Sequence, residues 1–334
     1  MRVLVTGGAG FIGSHIIEHL LRKTTVEVVS LDRLDTSGSL ERLAHIVEDN
    51  PEYRKRLSIV FHDLKADLND RVRAQIGEIT HILHLAAGSH VDRSIQFPME
   101  FVMDNVVGTC NLLNYAKDHC PALEWLLYFS TDEVFGTAPE GVDYKEWDRY
   151  NSGNPYSASK AGAEELCLAY ANTYRMPINI THTMNVIGYR QHPEKYVPLC
   201  IRKIDKGEKI FVHADPTCTK AGSRFYIDAN CVADAVLFLM ARYETLERGD
   251  KFNIVGAKEI DNLSLAEMIS ERVGKPLIHE LVDFHSSRSG HDLRYALCGA
   301  KMEDMGWKPK SLDDTIERIV AWYLKPENTL WMEV

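Results

Sequence analysis

The chain has 334 residues, 45% hydrophobic and 26% charged, and carries a net charge of −10. That composition fits one large globular α/β domain or two unequal ones. It excludes a basic nucleic-acid face, because the densest cationic run is the "RKR" at 54–56. No apolar run approaches the roughly 18 residues of a membrane helix, no signal-peptide pattern opens the chain, and the seven scattered cysteines form no C-x-x-C pair, so a cytoplasmic protein with reduced thiols and no membrane partner is expected.

"RVLVT" is a short apolar run that gives way to glycines and then to "FIGSHIIEHLLRK" at helical period; "VEVVSLD" is the next strand. "LSIVFHD", "THILHLAA" and "LEWLLYFST" read as further strands. Helical patterns separate them, including "FVMDNVVGTCNLLNYAKDH", and the long helix "PYSASKAGAEELCLAYANTYR" precedes "INITHTMNVIG", read as a sixth strand. Strands alternating with helices, several of them almost wholly apolar, predict a parallel sheet covered on both faces. After Gly188 prolines and charges mix with shorter helices at "YVPLCIRKIDKG", "DANCVADAVLFLMARY", "LAEMISERVGKP" and "LDDTIERIVAWYLK". The fold expected is a doubly wound, Rossmann-type parallel sheet with a smaller mixed C-terminal lobe. Residues 1–185 and a returning segment 225–258 make the first domain, and 186–224 with 259–334 make the second. The segment 140–154, "EGVDYKEWDRYNSGN", reads as a mobile flap.

"TGGAGFIGS" places glycines at 7, 10 and 13 between the first strand and the first helix. A pyrophosphate approaches backbone closely only where side chains are absent, and a helix N-terminus offers free N–H groups. Asp32, about 20 residues on at the end of the next strand, would accept from the adenosine ribose hydroxyls and favours NAD over NADP; Arg33 beside it pulls the other way. Asp63 either holds the adenine amino group or caps the following helix. "NPYSASKAG" sets Tyr156 and Lys160 four apart on one helix face. A phenol with a pKa near 10 needs a nearby cation to act as a base, and Lys160 with a bound nicotinamide would provide one. "STDEVFG" puts Asp132 and Glu133 directly after a buried strand, where a solvated loop acid with a helix cap is the plain alternative to a function. There is no H-E-x-x-H motif, and no metal is expected.

Together "TGGAGFIGS", "HLAAGSHVDRSI", "FSTDEVFG", "NPYSASKAG", "PEKYVP", "RSGHDLRYAL" and "MGWKPKSLDDTIERIVAWY" resemble the extended short-chain dehydrogenase/reductases, and within them the nucleoside-diphosphate-glucose 4,6-dehydratases of the dTDP-glucose type. The resemblance spans nearly the whole chain and is looser after Gly188. It implies NAD as cofactor, a nucleotide-sugar substrate and a homodimer paired through the helices at 106–119 and 162–174. It implies C4 oxidation, loss of water across C5 and C6, and hydride return to C6. Asp132 would be the acid and Glu133 the base, while Thr131 would bond the sugar O4 and support Tyr156; an epimerase of the same fold is the alternative. Cofactor contacts would come from Gly7, Gly10, Phe11, Ile12, Gly13, Asp32, Asp63, Leu64, Leu85, Ala86, Ala87, Tyr156 and Lys160. Substrate contacts would come from Ser89, Asn185, Lys195, Arg224, Asn253 and Arg288, with Asn105 supporting the site. Three segments depart from the family pattern. Gly88 replaces a Glu, "NVIGYRQ" replaces "NNYGPYQ", and "TKAGSRFYID" moves Arg224 out of register with the usual R-D-W-x-Y-V arginine. The last two departures leave the nucleotide base open.

Overall fold

The computed structural model describes residues 1–35, 37–283 and 293–332. Twelve strands lie among the described residues: β1 (Arg2–Thr6), β2 (Glu27–Asp32), β3 (Leu57–Phe61), β4 (His81–His84), β5 (Trp125–Thr131), β6 (Ile178–Thr183), β7 (Asn185–Ile187), β8 (Ile210–Ala214), β9 (Ser223–Asp228), β10 (Lys251–Ile254), β11 (Glu259–Asp261) and β12 (His279–Asp283). Seven of them form the main sheet in the order β10-β6-β5-β4-β1-β2-β3, and every pairing in it is parallel. The winding direction reverses between β1 and β4, and such a switch point opens a crevice at the carboxyl edge of the strands.

Alternation along each strand divides the core. Val3, Val5, Leu127 and Phe129 face the helices Phe11–Lys23 and Ala229–Met240 on one side. Leu4, Leu126, Tyr128, Ile178 and Ile180 face Gly108–His119 and Pro155–Thr173 on the other. A separate apolar core, around Ile201, Ile269, Ile316 and Ile319, holds the lobe together. The lobe contains the sheet β11-β9-β7 and the parallel pair β12-β8. No helix among the described residues is long and apolar enough to cross a membrane.

Four sequence expectations change. The single sixth strand is two, because β6 stays in the main sheet while β7, after Met184, pairs with β9 in the lobe. β9 therefore belongs to the lobe, and the return to the main sheet begins with the helix at Ala229 and ends with β10. The helix read from Phe101 contains a π-helical stretch, Val102–Val107, before the regular turns Gly108–His119. The segment 140–154 is tied down: Tyr144 N–H donates to Ala296 O, Cys298 N–H to Tyr144 O, and Asn151 N–H to Val134 O. His15 and His19 lie one helical turn apart but turn to different partners, Phe11 O and the side chains of Asn230 and Asp234.

Candidate active site

The loop after β1 is shaped by close backbone approach. Gly7 has φ +69°, and a Cβ there would lie 2.8 Å from Ala86 N; a Cβ on Gly13 would lie 2.2 Å from Gly7 O. The helix Phe11–Lys23 starts at Gly10 with no side-chain cap, so its first N–H groups are open to an anion. Phe11 and Ile12 form its first turn, and the Phe11 ring packs beside Gly188. Leu85, Ala86 and Ala87 follow β4 and face the glycine loop; Leu85 N–H donates to Thr6 O.

The Asp32 carboxylate accepts from Ala9 N–H at 3.0 Å and Leu34 N–H at 2.9 Å, joining this loop to the end of β2, and burial raises its pKa. Arg33 is held bidentately by Asp104 at 2.6 and 2.7 Å and by Asp35 at 2.7 Å. Its charge is matched by two acids and does not call for a 2′-phosphate. Asp63 caps a local turn through Lys65 N–H, and Asn69 caps the helix Asp70–Ile76, so Asp63 is not that helix's N-cap. Leu64 packs under Gly108. These residues fit a dinucleotide: a cradle without side-chain atoms, an uncapped helix end and a carboxylate at the end of β2.

At the end of β5, Thr131 caps the short 3₁₀ turn Asp132–Phe135 by accepting from Glu133 N–H, and its hydroxyl donates to Asp132 Oδ1 at 3.0 Å. Asp132 is buried, and its Oδ2 has no hydrogen-bond partner among the described residues. Burial pushes Asp132 up to about 6, against Thr131 and Arg224. Burial and the Asp132 charge push Glu133 up to about 7, while Asn154, Arg224 and Lys195 pull the other way. The pair thus holds a proton near neutrality, as close carboxylates do.

The Tyr156 phenol is pushed up by burial and by the Glu133 charge, and a hydrogen bond with Thr131 opposes this. Lys160 does not point at it. Its ammonium donates to Phe129 O at 2.5 Å and lies 4.3 Å from the Tyr128 ring centre; burial holds its pKa down to about 8. The expected support of the phenolate by Lys160 is therefore not a direct contact here. Asn105, in the π-helical stretch, brackets Gly88 through its N–H (2.7 Å) and C=O (3.1 Å) and donates to Ser159 Oγ at 2.8 Å. It links the loop after β4 to the helix of Tyr156. π-helical stretches often mark such sites.

Ser89 is exposed beside this loop. Asn185 opens β7, and Lys195 precedes the helix Tyr196–Lys206 and acts electrostatically on Glu133. Arg224, on β9, donates to Ser223 O and Leu293 O and stacks 4.6 Å from the Tyr295 ring centre. Its charge reaches both acids, so it lies on the acid-pair side of the site. Asn253 is not a substrate contact. It is wholly buried in β10, with its amide donating to Tyr144 O and Cys298 O and its oxygen facing His182 Nδ1 at 3.0 Å. Arg288 lies outside the described residues. Sequence reading missed Asn154, which caps the helix of Tyr156 and donates to Glu133 Oε2 at 3.0 Å. The "NP" pair announces a cap but not that contact. It also missed Glu164, one turn beyond Lys160 on the same face, which the i, i+4, i+8 spacing marks.

A switch-point crevice with this glycine loop and a tyrosine–lysine helix defines the extended short-chain dehydrogenase/reductase fold. The family profile described as GDP-mannose 4,6 dehydratase matches residues 4–319. The low-salt glycan biosynthesis protein Agl12 of Haloferax volcanii is 39% identical over 97% of this chain and 99% of its own. The dTDP-glucose 4,6-dehydratase of Neisseria gonorrhoeae is 36% identical over 96% and 95% of the two chains. The crystal structure of DesIV, a dTDP-glucose 4,6-dehydratase of Streptomyces venezuelae solved with NAD bound, superposes with a TM-score of 0.87 at 34% identity, covering 100% of this chain and 99% of that one. The chain belongs to the nucleoside-diphosphate-sugar dehydratase family, whose members use NAD.

Proposed function

We propose that the protein is an NAD-dependent 4,6-dehydratase of a nucleoside-diphosphate hexose, of the dTDP- or UDP-glucose type, making the 4-keto-6-deoxy sugar. The observation that carries this reading is the pair of buried Asp132 and half-buried Glu133, linked through Thr131 to Tyr156 and set near neutrality. An enzyme that only oxidises and reduces C4 has no use for two such groups.

Gly7, Gly10 to Gly13, Asp32, Leu85 to Ala87 and Lys160 would hold the cofactor. Bound there, NAD would supply the hydride acceptor for C4 and the hydride donor for C6. Tyr156 removes the C4 hydroxyl proton, with Thr131 stabilising the phenolate. The resulting C4 ketone acidifies the C5 proton. Glu133 takes that proton, Asp132 gives one to the departing C6 hydroxyl, and water leaves. The proton on Glu133 would then return to C5 as C6 is reduced, and the proton held by Tyr156 would restore Asp132, so the net change is loss of one water. Asp132 Oδ2 gains a partner when a sugar hydroxyl is bound.

Arg224 and Lys195 favour an anionic substrate, consistent with a diphosphate. Ile95, Phe97, Met99, Val102 and Met103, in and just before the π-helical stretch, are exposed apolar side chains, which supports a homodimer; a monomer by light scattering would remove that part. The free cysteines fit a reducing, cytoplasmic setting. Incubation with dTDP-, UDP-, GDP- and CDP-glucose tests the reading by mass spectrometry. A product one water lighter supports it, and an isomer of unchanged mass from every substrate overturns it.

A further inference from the structure

Behind Tyr156 and Lys160 lies a buried group of polar and charged side chains that the reaction above does not use. Glu164 continues their helix face. Its carboxylate accepts the Tyr150 hydroxyl and the Lys251 ammonium, the latter at 2.9 Å, and faces His182 Nε2 at 3.2 Å. The Glu164 and His182 side chains have no exposed surface. Burial alone would raise this carboxyl, but the His182 and Lys251 partners prevail and hold it well below the usual range. One carboxylate thus gathers groups from three directions: β6, β10 and the segment 140–154.

That segment docks on β10 at four points. Asn253 donates its side-chain amide to Tyr144 O at 3.1 Å and its backbone N–H to Glu146 Oε1 at 3.2 Å. The Lys251 ammonium lies 4.4 Å from the Trp147 ring centre and donates to Tyr150 OH at 2.5 Å. The Phe135 ring packs edge-on against Tyr150 and His182. The segment follows the Asp132–Phe135 turn by four residues and ends at Asn154, whose amide donates to Glu133 Oε2 at 3.0 Å. Whatever fixes the segment fixes that contact.

We propose, on the dehydratase reading above, that Glu164 is a positioning residue: by clasping Tyr150, Lys251 and His182 it pins the segment 140–154 to β10 and so sets the Asn154–Glu133 contact and the seat of Lys160. The alternative is a cluster that only adds stability. The two differ in the pH profile. Asn154 favours ionised Glu133, so loosening the segment moves the Glu133 limb to higher pH. The Glu164 charge favours the Lys160 ammonium, so removing it moves the Lys160 limb to lower pH. The other groups acting on these sites, Asp132, Arg224 and Lys195 on Glu133 and Cys167 on Lys160, are unchanged by the substitutions.

The test compares Glu164→Gln, Glu164→Asp and Tyr150→Phe in the full chain, by hydrogen–deuterium exchange of residues 140–154 and by kcat and KM from about pH 5 to pH 9. Glu164→Gln is expected to speed exchange in the segment, lower kcat roughly 10- to 100-fold with a smaller change in KM, and narrow the active range from both sides. Glu164→Asp keeps the charge and restores the alkaline limb. Tyr150→Phe keeps the charge too; it speeds exchange and moves only the acid limb, and it stands in if Glu164→Gln does not fold. Wild-type exchange in Tyr150→Phe, or a wild-type pH profile in the variants, overturns the proposal. If the unmodified protein dehydrates no nucleotide hexose, the proposed function fails, and segment exchange alone then decides the positioning role.

Discussion

The glycine loop after β1 and the acid pair after β5 lie on the carboxyl edge of one sheet and are built in opposite ways. The loop is defined by missing atoms: a single methyl on Gly13 collides with Gly7 O, and nothing in the loop needs a particular charge. The acid site is defined by charge. Asp132, Glu133, Lys160 and Glu164 are carried on tightly packed backbone, and each is shifted by its burial or its partners. One region should therefore fail on volume and the other on protonation.

The sharpest break comes from Glu133→Gln, which keeps the volume and removes the charge. A loss of about 10²- to 10⁴-fold in dehydration is expected, with reduced cofactor accumulating by absorbance because C4 oxidation is spared; an unchanged rate would remove the assigned role. Gly13→Ala is the reverse experiment. Its added Cβ would lie 2.2 Å from Gly7 O, and NAD affinity by calorimetry should fall about 10- to 100-fold while the acid pair is untouched.

A smaller effect follows from linkage. Asp132 and Glu133 are raised to about 6 and about 7, so the folded protein binds more protons than the unfolded chain between about pH 4 and pH 7. Stability then falls as pH rises through that window, by several kcal/mol in total at roughly 1.4 kcal/mol per pKa unit. Thermal melts of the protein and of an Asp132→Asn, Glu133→Gln double variant should converge at low pH, with the variant more stable at pH above about 7. Smallest of all, Asn154→Ala should raise the Glu133 limb of the pH profile by about half a unit while weakening the helix cap. No shift in that limb would mean that the contact does not tune Glu133.

The same contrast explains what the sequence made legible. The glycine spacing, Asp32 and the Tyr156–Lys160 pair are local patterns, and each falls on the element expected of it. The extents of the first helix and of β1 could be read almost residue by residue, because their apolar periods are clean. The contacts that shape the acid site join residues far apart. Asn154 meets Glu133 across 21 positions, and Lys251 meets Tyr150 across 101. Asn253 was expected to bind substrate, and 140–154 to be a free flap, because the two are each other's partners and lie about a hundred residues apart in the chain. The break between β6 and β7 was hidden for a similar reason: "INITHTMNVIG" has no proline or glycine before Gly188 to mark a break, and only the third dimension sends its two ends to different sheets.

The late arrival of β10 has a consequence for how the molecule is made. The cradle can close once β1, β2 and β4 have paired, all within the first 84 residues. The surroundings of the acid pair cannot, because the strand that receives the segment 140–154 is synthesised only after the β7 to β9 stretch of the lobe. A chain emerging from the ribosome should thus pair the strands that frame its glycine loop before it assembles the surroundings of its acid pair. Refolding followed by two probes, cofactor fluorescence and turnover, should show the second trailing the first.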